Sequence, residues 1–587
     1  MPPRDPNLID LGNGARLPDG QVRLERGVRC RMSDGIHLVS DHYYPAEQGP
    51  HPTLLMRQPY GRDIASTVTY AHPAWFAHHG YNVVIQDVRG RGDSEGEFYP
   101  FRSEGRDGAE TIAWLSMRPE SNGSIGMYGF SYQGATQFLA AAEQPDGLVC
   151  IAPGMTAHDL YHGWFYHQGA LRLASSLGWG LQMLKADARR LKLREASDRL
   201  EQAWANLAAQ TSVLPFRDHP ALLSVGLPHY VVDWFDHPEP ASLAGGLGDF
   251  WSALDISRTY ERIRVPALHV AGWYDTYLSG TIAAFLALTL RAGGPVARNN
   301  QFLIAGPWVH IPWGDRAGSA DFGPEANLDI DAILLRWFNH WLKGSGEFAS
   351  EPRVRHFVLG ENRWRQAAEF PLEANHVLYL HSGGRANSRK GDGTLSAAAP
   401  AAEEPGDIFV CDPEVPVLAP GGPAAPSGQF DQSTLELGNN LLVYTTASLP
   451  KPLLVFGTPR VSLYAATSAA HTDFTAKLVR VRANGAAEFI CIGIARSSWL
   501  FSKTGYSADR IHHWQFDLEP TSCLFAAGDR IRLEIAGSAF PLYDRNPGSD
   551  VPSARATSWD WRRSTQIVHH SSAHPSALYL PVSESPA

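Results

Sequence analysis

Ser131, Asp275 and His310 have the residue types and the chain order that acyl-transfer chemistry needs. Ser131 stands in GMYGFSYQGATQFLAA, with Gly129 two positions before it and Gly134 three after. Glycines at those places let a strand turn sharply into a helix without side-chain clash. Such a turn would hold the serine hydroxyl out of the sheet and aim the amide of Tyr132 into the same space from a helix N-terminus. A nucleophile placed there has a donor ready for the oxyanion it creates. The same residues also describe a helix N-cap, for which serine is favoured. Gln133, moreover, occupies the position of the second glycine in the generic G-x-S-x-G pattern.

A serine nucleophile needs a base to take its proton and an acid to hold that base in the right tautomer. In an α/β-hydrolase these follow in the order Ser, Asp or Glu, His, each on a loop at the C-terminal end of a strand. Asp275 comes directly after the apolar run VPALHVAGWY. His310 ends FLIAGPWVH, in which Gly306 and Pro307 are expected to break the strand and leave the histidine in the loop beyond. Singly, an aspartate after a strand is commonly a turn or cap residue, and one histidine among 24 is commonly incidental. Three residues in the required order, all at strand ends, are far harder to reach by chance. Asp87 also ends an apolar run but precedes the serine, and it reads as support for the loop RGRGDSEGEF. His269 lies inside a strand and His158 at the start of an insertion.

The elements that must position these residues alternate along the chain. Asp34-Gly35 separates two strand-like runs as a hairpin turn would. TLLMRQPYGR, YNVVIQDVRG and SIGMYGF read as strands, with AHPAWFAHHG, DGAETIAWLSMRP and SYQGATQFLAAAEQ as the helices among them. Near-continuous apolar strands alternating with helices mean a parallel sheet covered on both faces. The rhythm stops at about Leu148, gives way to aromatic-rich helical sequence as far as Asp255, and resumes at RIRVPALHVAGWYD. KGSGEFASEP marks a boundary, beyond which short alternating strands such as PRVRHFVLG, TDFTAKLVRVRANG and DRIRLEIAGS argue a β-sandwich or jelly roll. The expected organisation is an α/β-hydrolase core (1–147 and 256–345), a helical cap inserted into it (148–255) and a C-terminal all-β jelly-roll domain (352–587).

Composition narrows the function. Hydrophobic residues at 44% and charged residues at 19% suit a soluble globular protein, and a formal charge of -10 argues against a nucleic-acid partner, which needs clustered Lys and Arg. MPPRDPNLIDLGNG has no apolar core of a signal peptide, and no apolar run approaches the ~18 residues of a membrane span. A cytoplasmic protein with no membrane partner is the expectation. Five scattered cysteines without a C-x-x-C pair suggest neither a disulfide framework nor a zinc site, and the histidines form no H-E-x-x-H pattern. No metal and no cofactor is expected.

GFSYQGATQ, VVIQDVRGRGDSEGEF, VPALHVAGWYD and AGPWVH resemble the bacterial family that includes cocaine esterase, α-amino acid ester hydrolases, glutaryl acylases and, more distantly, X-Pro dipeptidyl peptidases. RHFVLGENRW, DQSTLELGNNLLVYTT, TDFTAKLVRV and PLYDRNPGSD resemble that family's C-terminal jelly roll, so the likeness covers nearly the whole chain after about Arg23. In the family the position occupied by Gln133 need not be glycine. The resemblance implies a triad of Ser131, His310 and Asp275. It also implies an oxyanion hole formed by the amide of Tyr132 and the side chain of Tyr60 in MRQPYGR.

Members that hydrolyse α-amino esters carry a carboxylate cluster for the substrate ammonium, drawn partly from the insertion near its W-F motif. Here no Asp or Glu occurs between Asp159 and Asp187. Trp164, Phe165 and Tyr166, with Tyr161 and Trp179, suggest instead an aromatic pocket wall or, equally, residues that glue the cap to the core. Tyr277 joins Trp164, Phe165 and Tyr166 as a substrate-binding candidate. The resulting expectation is a serine esterase acting on a small neutral carboxylic ester, with amide cleavage and assembly into a homo-oligomer left open. An acylase of the glutaryl or α-amino ester type and an X-Pro dipeptidyl peptidase are the enzymatic alternatives. A jelly-roll protein that binds carbohydrate or a partner is the non-enzymatic one. The adhesion-like tetrapeptide Arg91-Gly92-Asp93-Ser94 reads as chance.

Overall fold

The computed structural model describes the chain except for residues 1–7, 11–15, 19–20, 64–68, 227–228, 240–248, 253, 372, 402, 424–425 and 584–587. Most of the MPPRDPNLIDLGNG stretch thus lies outside the described residues.

The first body is a ten-stranded sheet. Its strands in chain order are β1 (Val22–Arg31), β2 (His37–Pro45), β3 (His51–Gln58), β4 (Asn82–Asp87), β5 (Ser121–Phe130), β6 (Leu148–Gly154), β7 (Ala267–Tyr274), β8 (Gln301–Val309), β9 (Val354–Val358) and β10 (Arg363–Ala367). Across the sheet they run β10-β9-β8-β7-β6-β5-β3-β4-β2-β1, parallel from β9 to β4, with antiparallel strands at both edges. All residues of β4 and β7 are buried, as expected of strands covered on both faces. On one face α1 (Pro73–His78) and the Ile330–Lys343 helix pack Phe76, Trp337 and Phe338 against Tyr128 and Ile304. On the other, α2 (Glu104–Ser116), α3 (Tyr132–Ala142) and the Leu278–Arg291 helix set Leu115, Phe138 and Leu288 against Leu55, Ile125 and Ile151.

Three elements differ from the expected organisation. Leu148–Gly154 is a strand of the sheet, held between β5 and β7, so the inserted segment starts after Gly154 rather than at 148. LVCIAPG is short and leads straight into aromatic sequence, and only its pairing with distant strands marks it as sheet. Likewise Val354–Val358 and Arg363–Ala367, expected in the C-terminal β domain, extend the first sheet beyond β8. Finally, Gly306 and Pro307 do not break β8, which runs on to Val309. β9 pairs with β8 only at Leu303–Ala305, so no ladder bond is lost to the missing N–H of Pro307 on that side.

The inserted segment opens with a wide helical turn at Tyr161–Phe165 and continues through α4 (Leu173–Arg190), α5 (Arg194–Ala205) and a helix at His229–Asp236. Its core is aromatic: Trp179 stacks on Trp234 at 5.0 Å, and Phe165 lies 4.4 Å from the same indole. This cluster is continuous with Phe101, Tyr132 and Tyr277 of the α/β body, so the segment is packed directly on the Ser131 turn. Arg91, buried beneath it, pairs with Asp187 of α4 at 2.9 Å and covers the Phe98 ring. An arginine so enclosed is not displayed for adhesion, which gives the Arg91–Ser94 tetrapeptide a structural role.

Beyond residue 375 the described chain is β-rich, with an eleven-stranded sheet that is mostly antiparallel and a three-stranded sheet. Phe456, Phe489 and Trp514 of this body share one core with Trp273, Tyr274 and Phe357 of the first sheet. SAAAPAAEEPGD, a Pro/Ala-rich connection by composition, is tethered to it. Glu404 accepts from His381 at 2.8 Å and from His570 at 3.0 Å, and the other nitrogen of His570 donates to Asp407 at 2.9 Å.

Candidate active site

Ser131 follows the last residue of β5 and precedes the first of α3, with φ 61° and ψ -128°. A non-glycine residue in that region carries strain of about 1–3 kcal/mol, and the surroundings must over-determine it. They do: the Ser131 amide donates to Gly154 O at 2.9 Å, pinning the corner to the end of β6. The flanking glycines are required by close approach. A Cβ on Gly129 would meet Gln133 Cβ at 2.5 Å, and one on Gly134 would meet the Thr156 side chain at 2.7 Å.

His310 Nδ1 and Asp275 Oδ1 are 2.7 Å apart. Asp275 is fully buried at the end of β7, and its second oxygen accepts from the Tyr277 amide at 3.1 Å. With both oxygens engaged, the carboxylate is fixed in orientation and so fixes the imidazole. The ring of His310 is braced by Phe130 at 5.3 Å and Tyr277 at 5.1 Å. Ser131 and His310 open onto one cavity of about 430 Å³.

Tyr60, two residues beyond β3, reaches the same cavity. Its phenol oxygen is approached by the Ser131 hydroxyl and the Trp179 indole, and burial pushes its pKa up, keeping the proton it would donate. The amide of Tyr132 is the first of α3, a position with no intrahelical acceptor. The Tyr132 ring points the other way, stacked on Phe101 at 4.6 Å with its hydroxyl donating to Glu104 at 2.7 Å. Asp87 supports the turn after Tyr60, accepting from the Arg62 amide and from its guanidinium, each at 2.7 Å.

The cavity wall differs from the expected one. Of the four substrate-binding candidates only Tyr277 lines it. Trp164 lies behind Tyr277, stacked at 4.1 Å, and Phe165 packs on Trp234. Tyr166 stacks on Tyr161 at 4.7 Å and borders a separate cavity of about 230 Å³ facing the β-rich body. Large aromatic surfaces gain most from one another, and these three rings satisfy one another instead of the pocket. The wall comes instead from Ala174, Ser175, Gly178, Trp179 and Gln182 of α4, joined by Trp204, Leu207, Ile311 and Pro423. The α4 residues recur every three or four positions, a helical stripe that periodicity could have revealed. Apart from His310, no described wall residue is ionisable at neutral pH. Among the described residues no group of three or more His, Cys, Asp or Glu side chains is arranged so that it could hold a metal ion. Nor is any described helix long and apolar enough to cross a membrane.

Comparison with known proteins finds relatives of nearly the whole chain. The X-Pro dipeptidyl-peptidase (S15 family) profile matches residues 34–312, and that of the X-Pro dipeptidyl-peptidase C-terminal non-catalytic domain matches residues 346–579. Cocaine esterase of Rhodococcus sp. (strain MB1 Bresler) is 34% identical, over 96% of this chain and 100% of its own. An α-amino acid ester hydrolase structure superposes with a TM-score of 0.79 at 25% identity, covering 96% of this chain and 97% of that one. An aminopeptidase from a marine sediment archaeon, Thaumarchaeota archaeon, shares the fold, with a TM-score of 0.77 at 24% identity and 96% of each chain covered.

Proposed function

The chain belongs to the family that joins cocaine esterase to the X-Pro dipeptidyl peptidases and is a serine hydrolase of carboxylic esters, and from that premise we propose that Ser131, His310 and Asp275 are its triad and that its acyl group is neutral. Ser131 attacks the ester carbonyl while His310 takes its proton, and Asp275 holds the imidazole and stabilises its charged form. The tetrahedral oxyanion is met by the Tyr132 amide and the Tyr60 hydroxyl. His310 then protonates the departing alkoxide, and water activated by the same histidine releases the acid from the acyl-enzyme.

The observation that supports a neutral acyl group is the wall itself. An ammonium or a distal carboxylate bound there would lose water and, His310 apart, meet no partner of opposite charge among the described wall residues. This favours neutral esters over α-amino esters, dipeptides with a free N-terminus and glutaryl compounds. The test is labelling with a fluorophosphonate, followed by mass mapping and a panel of p-nitrophenyl esters of graded acyl size. The adduct is expected on Ser131 with full loss of turnover. An adduct on another serine, or activity that survives complete labelling, would overturn the assignment.

A further inference from the structure

Gln133 is almost wholly buried and Gln58 entirely so, and neither belongs to the triad or its oxyanion donors. They form a directed chain of hydrogen bonds. The Phe130 amide donates to Gln133 Oε1 at 3.2 Å, Gln133 Nε2 donates to Gln58 Oε1 at 3.1 Å, and Gln58 Nε2 donates to Gly61 O at 3.0 Å. The direction is forced at both ends, because a backbone N–H can only donate and a backbone carbonyl can only accept. Neither side-chain amide can flip without breaking two bonds. Gln133 also packs against the corner it serves, since it is the side chain that any Cβ on Gly129 would strike.

The ends of this chain matter. Gln133 adjoins Tyr132, whose amide is one oxyanion donor, and Gly61 adjoins Tyr60, which bears the other. β3 and β5 pair only as far as Leu55 and Met127, so the ladder between them stops short of both donors. The two glutamines span the interval the ladder leaves. We propose that Gln133 and Gln58 are positioning residues that hold the Tyr60 hydroxyl at a fixed distance from the Ser131 corner. The proposal rests on the reading of Tyr60 as an oxyanion donor.

The test is a double-mutant cycle on the full-length protein, with kcat and KM measured for wild type, Gln58→Met, Tyr60→Phe and the double variant. Methionine keeps the length of the side chain and removes both hydrogen bonds. Gln58→Met is expected to lower kcat by about ten- to a hundredfold, the cost of a small misplacement of a catalytic group, with KM within about twofold. Once the hydroxyl is gone there is nothing left to position, so in the Tyr60→Phe background the same change should cost less than about twofold. Equal factors in both backgrounds, or an unchanged kcat for Gln58→Met alone, would overturn the relay. Should Gln58→Met not fold, Gln58→Asn, which keeps an amide one methylene too short to span the gap, enters the same cycle with the same expectations. A Tyr60→Phe variant with normal kcat would count against the oxyanion reading itself, independently of what the glutamines do.

Discussion

Ser131 and His310 reach the cavity from one residue beyond β5 and β8, with Asp275, one residue beyond β7, buried behind His310, whereas the wall is assembled from α4, the end of α5 and the residues just after it, the loop after His310 and Pro423 of the β-rich body. The floor is thus held by sheet register: the Ser131 corner is pinned to β6, and the His310–Asp275 pair spans two adjacent parallel strands. The wall is held by side-chain packing over the aromatic layer of Trp164, Phe165 and Trp234. Hydrogen-bonded register fixes atoms closely enough for proton transfer, while a packed apolar surface sets a volume and a polarity. Changes to the floor should therefore appear in kcat, and changes to the wall in which ester is chosen.

The largest effect should come from the floor. Ser131→Ala is expected to lower kcat by about 10⁴- to 10⁶-fold, as removal of a nucleophile does, with little change in the thermal midpoint. Ser131→Gly should be as inactive yet more stable by about 1 kcal/mol, because glycine adopts φ 61° without strain. A chemical denaturation series reads this difference, and an equal stability for the two variants would mean that the corner stores no strain.

Tyr60→Phe should cost about 10²- to 10³-fold in kcat with KM nearly unchanged, the usual size for one oxyanion donor. A variant that kept its kcat but melted earlier would make Tyr60 a packing residue and move it from floor to wall.

The wall is tested by substrate rather than by mutation. For methyl esters of phenylglycine and phenylacetate, kcat/KM should favour the deaminated compound by about tenfold, the effect of roughly 1.4 kcal/mol of uncompensated desolvation of the ammonium. A tenfold preference for the amino ester would reveal a carboxylate that the described wall lacks.

The smallest effect lies away from the cavity and serves as a control on both regions. His570, buried between Asp407 and Glu404, has its pKa raised above 6.5 by those carboxylates against the pull of burial, and theirs are lowered in turn. His381, which shares Glu404, Tyr444, which donates to Asp407 and packs on the imidazole, and His569 and His574 are the other titratable groups near it. A raised imidazole pKa stabilises the fold below the unfolded value and loses that contribution as pH rises through the folded one. The lowered carboxylates contribute above their unfolded values and lose it in acid. The cluster should therefore help most between the carboxylate range and the raised His570 pKa. His570→Gln is expected to lower the thermal midpoint by about 1–2 °C near pH 6, and by less at pH 9, without changing ester kcat at either. An equal loss at both pH values would show that His570 is not charged in the fold.

Legibility followed the same division. The floor could be read because each of its residues is marked by its own neighbours in the chain: glycines at fixed offsets around Ser131, and an apolar run directly before Asp275 and before His310. The continuation of β8 through Gly306 and Pro307 is not legible locally, because whether a proline ends a strand depends on whether its neighbours need an N–H there: β9 does not pair that far, and β7 shifts register at that point. The sheet that Leu148–Gly154 and Val354–Val358 join is illegible for a similar reason. Each is a plausible strand locally, and only its pairing partner says which sheet it joins.

The sequence by itself singled out the proposed nucleophile, base and acid, and determined the order in which these residues occur and the alternation that makes a parallel sheet to carry them. Those features rest on backbone conformation within a few residues, where glycine, proline and apolar runs act directly. Only the tertiary structure decided which aromatic rings face the cavity. Trp164, Phe165, Tyr166 and Trp179 are alike in composition and neighbourhood, yet only Trp179 borders the cavity. The others are taken up by Tyr277, Trp234 and Tyr161, residues as much as 113 positions away in the case of Trp164 and Tyr277. Competition among rings for one another is settled by packing in three dimensions, and no local pattern carries its outcome.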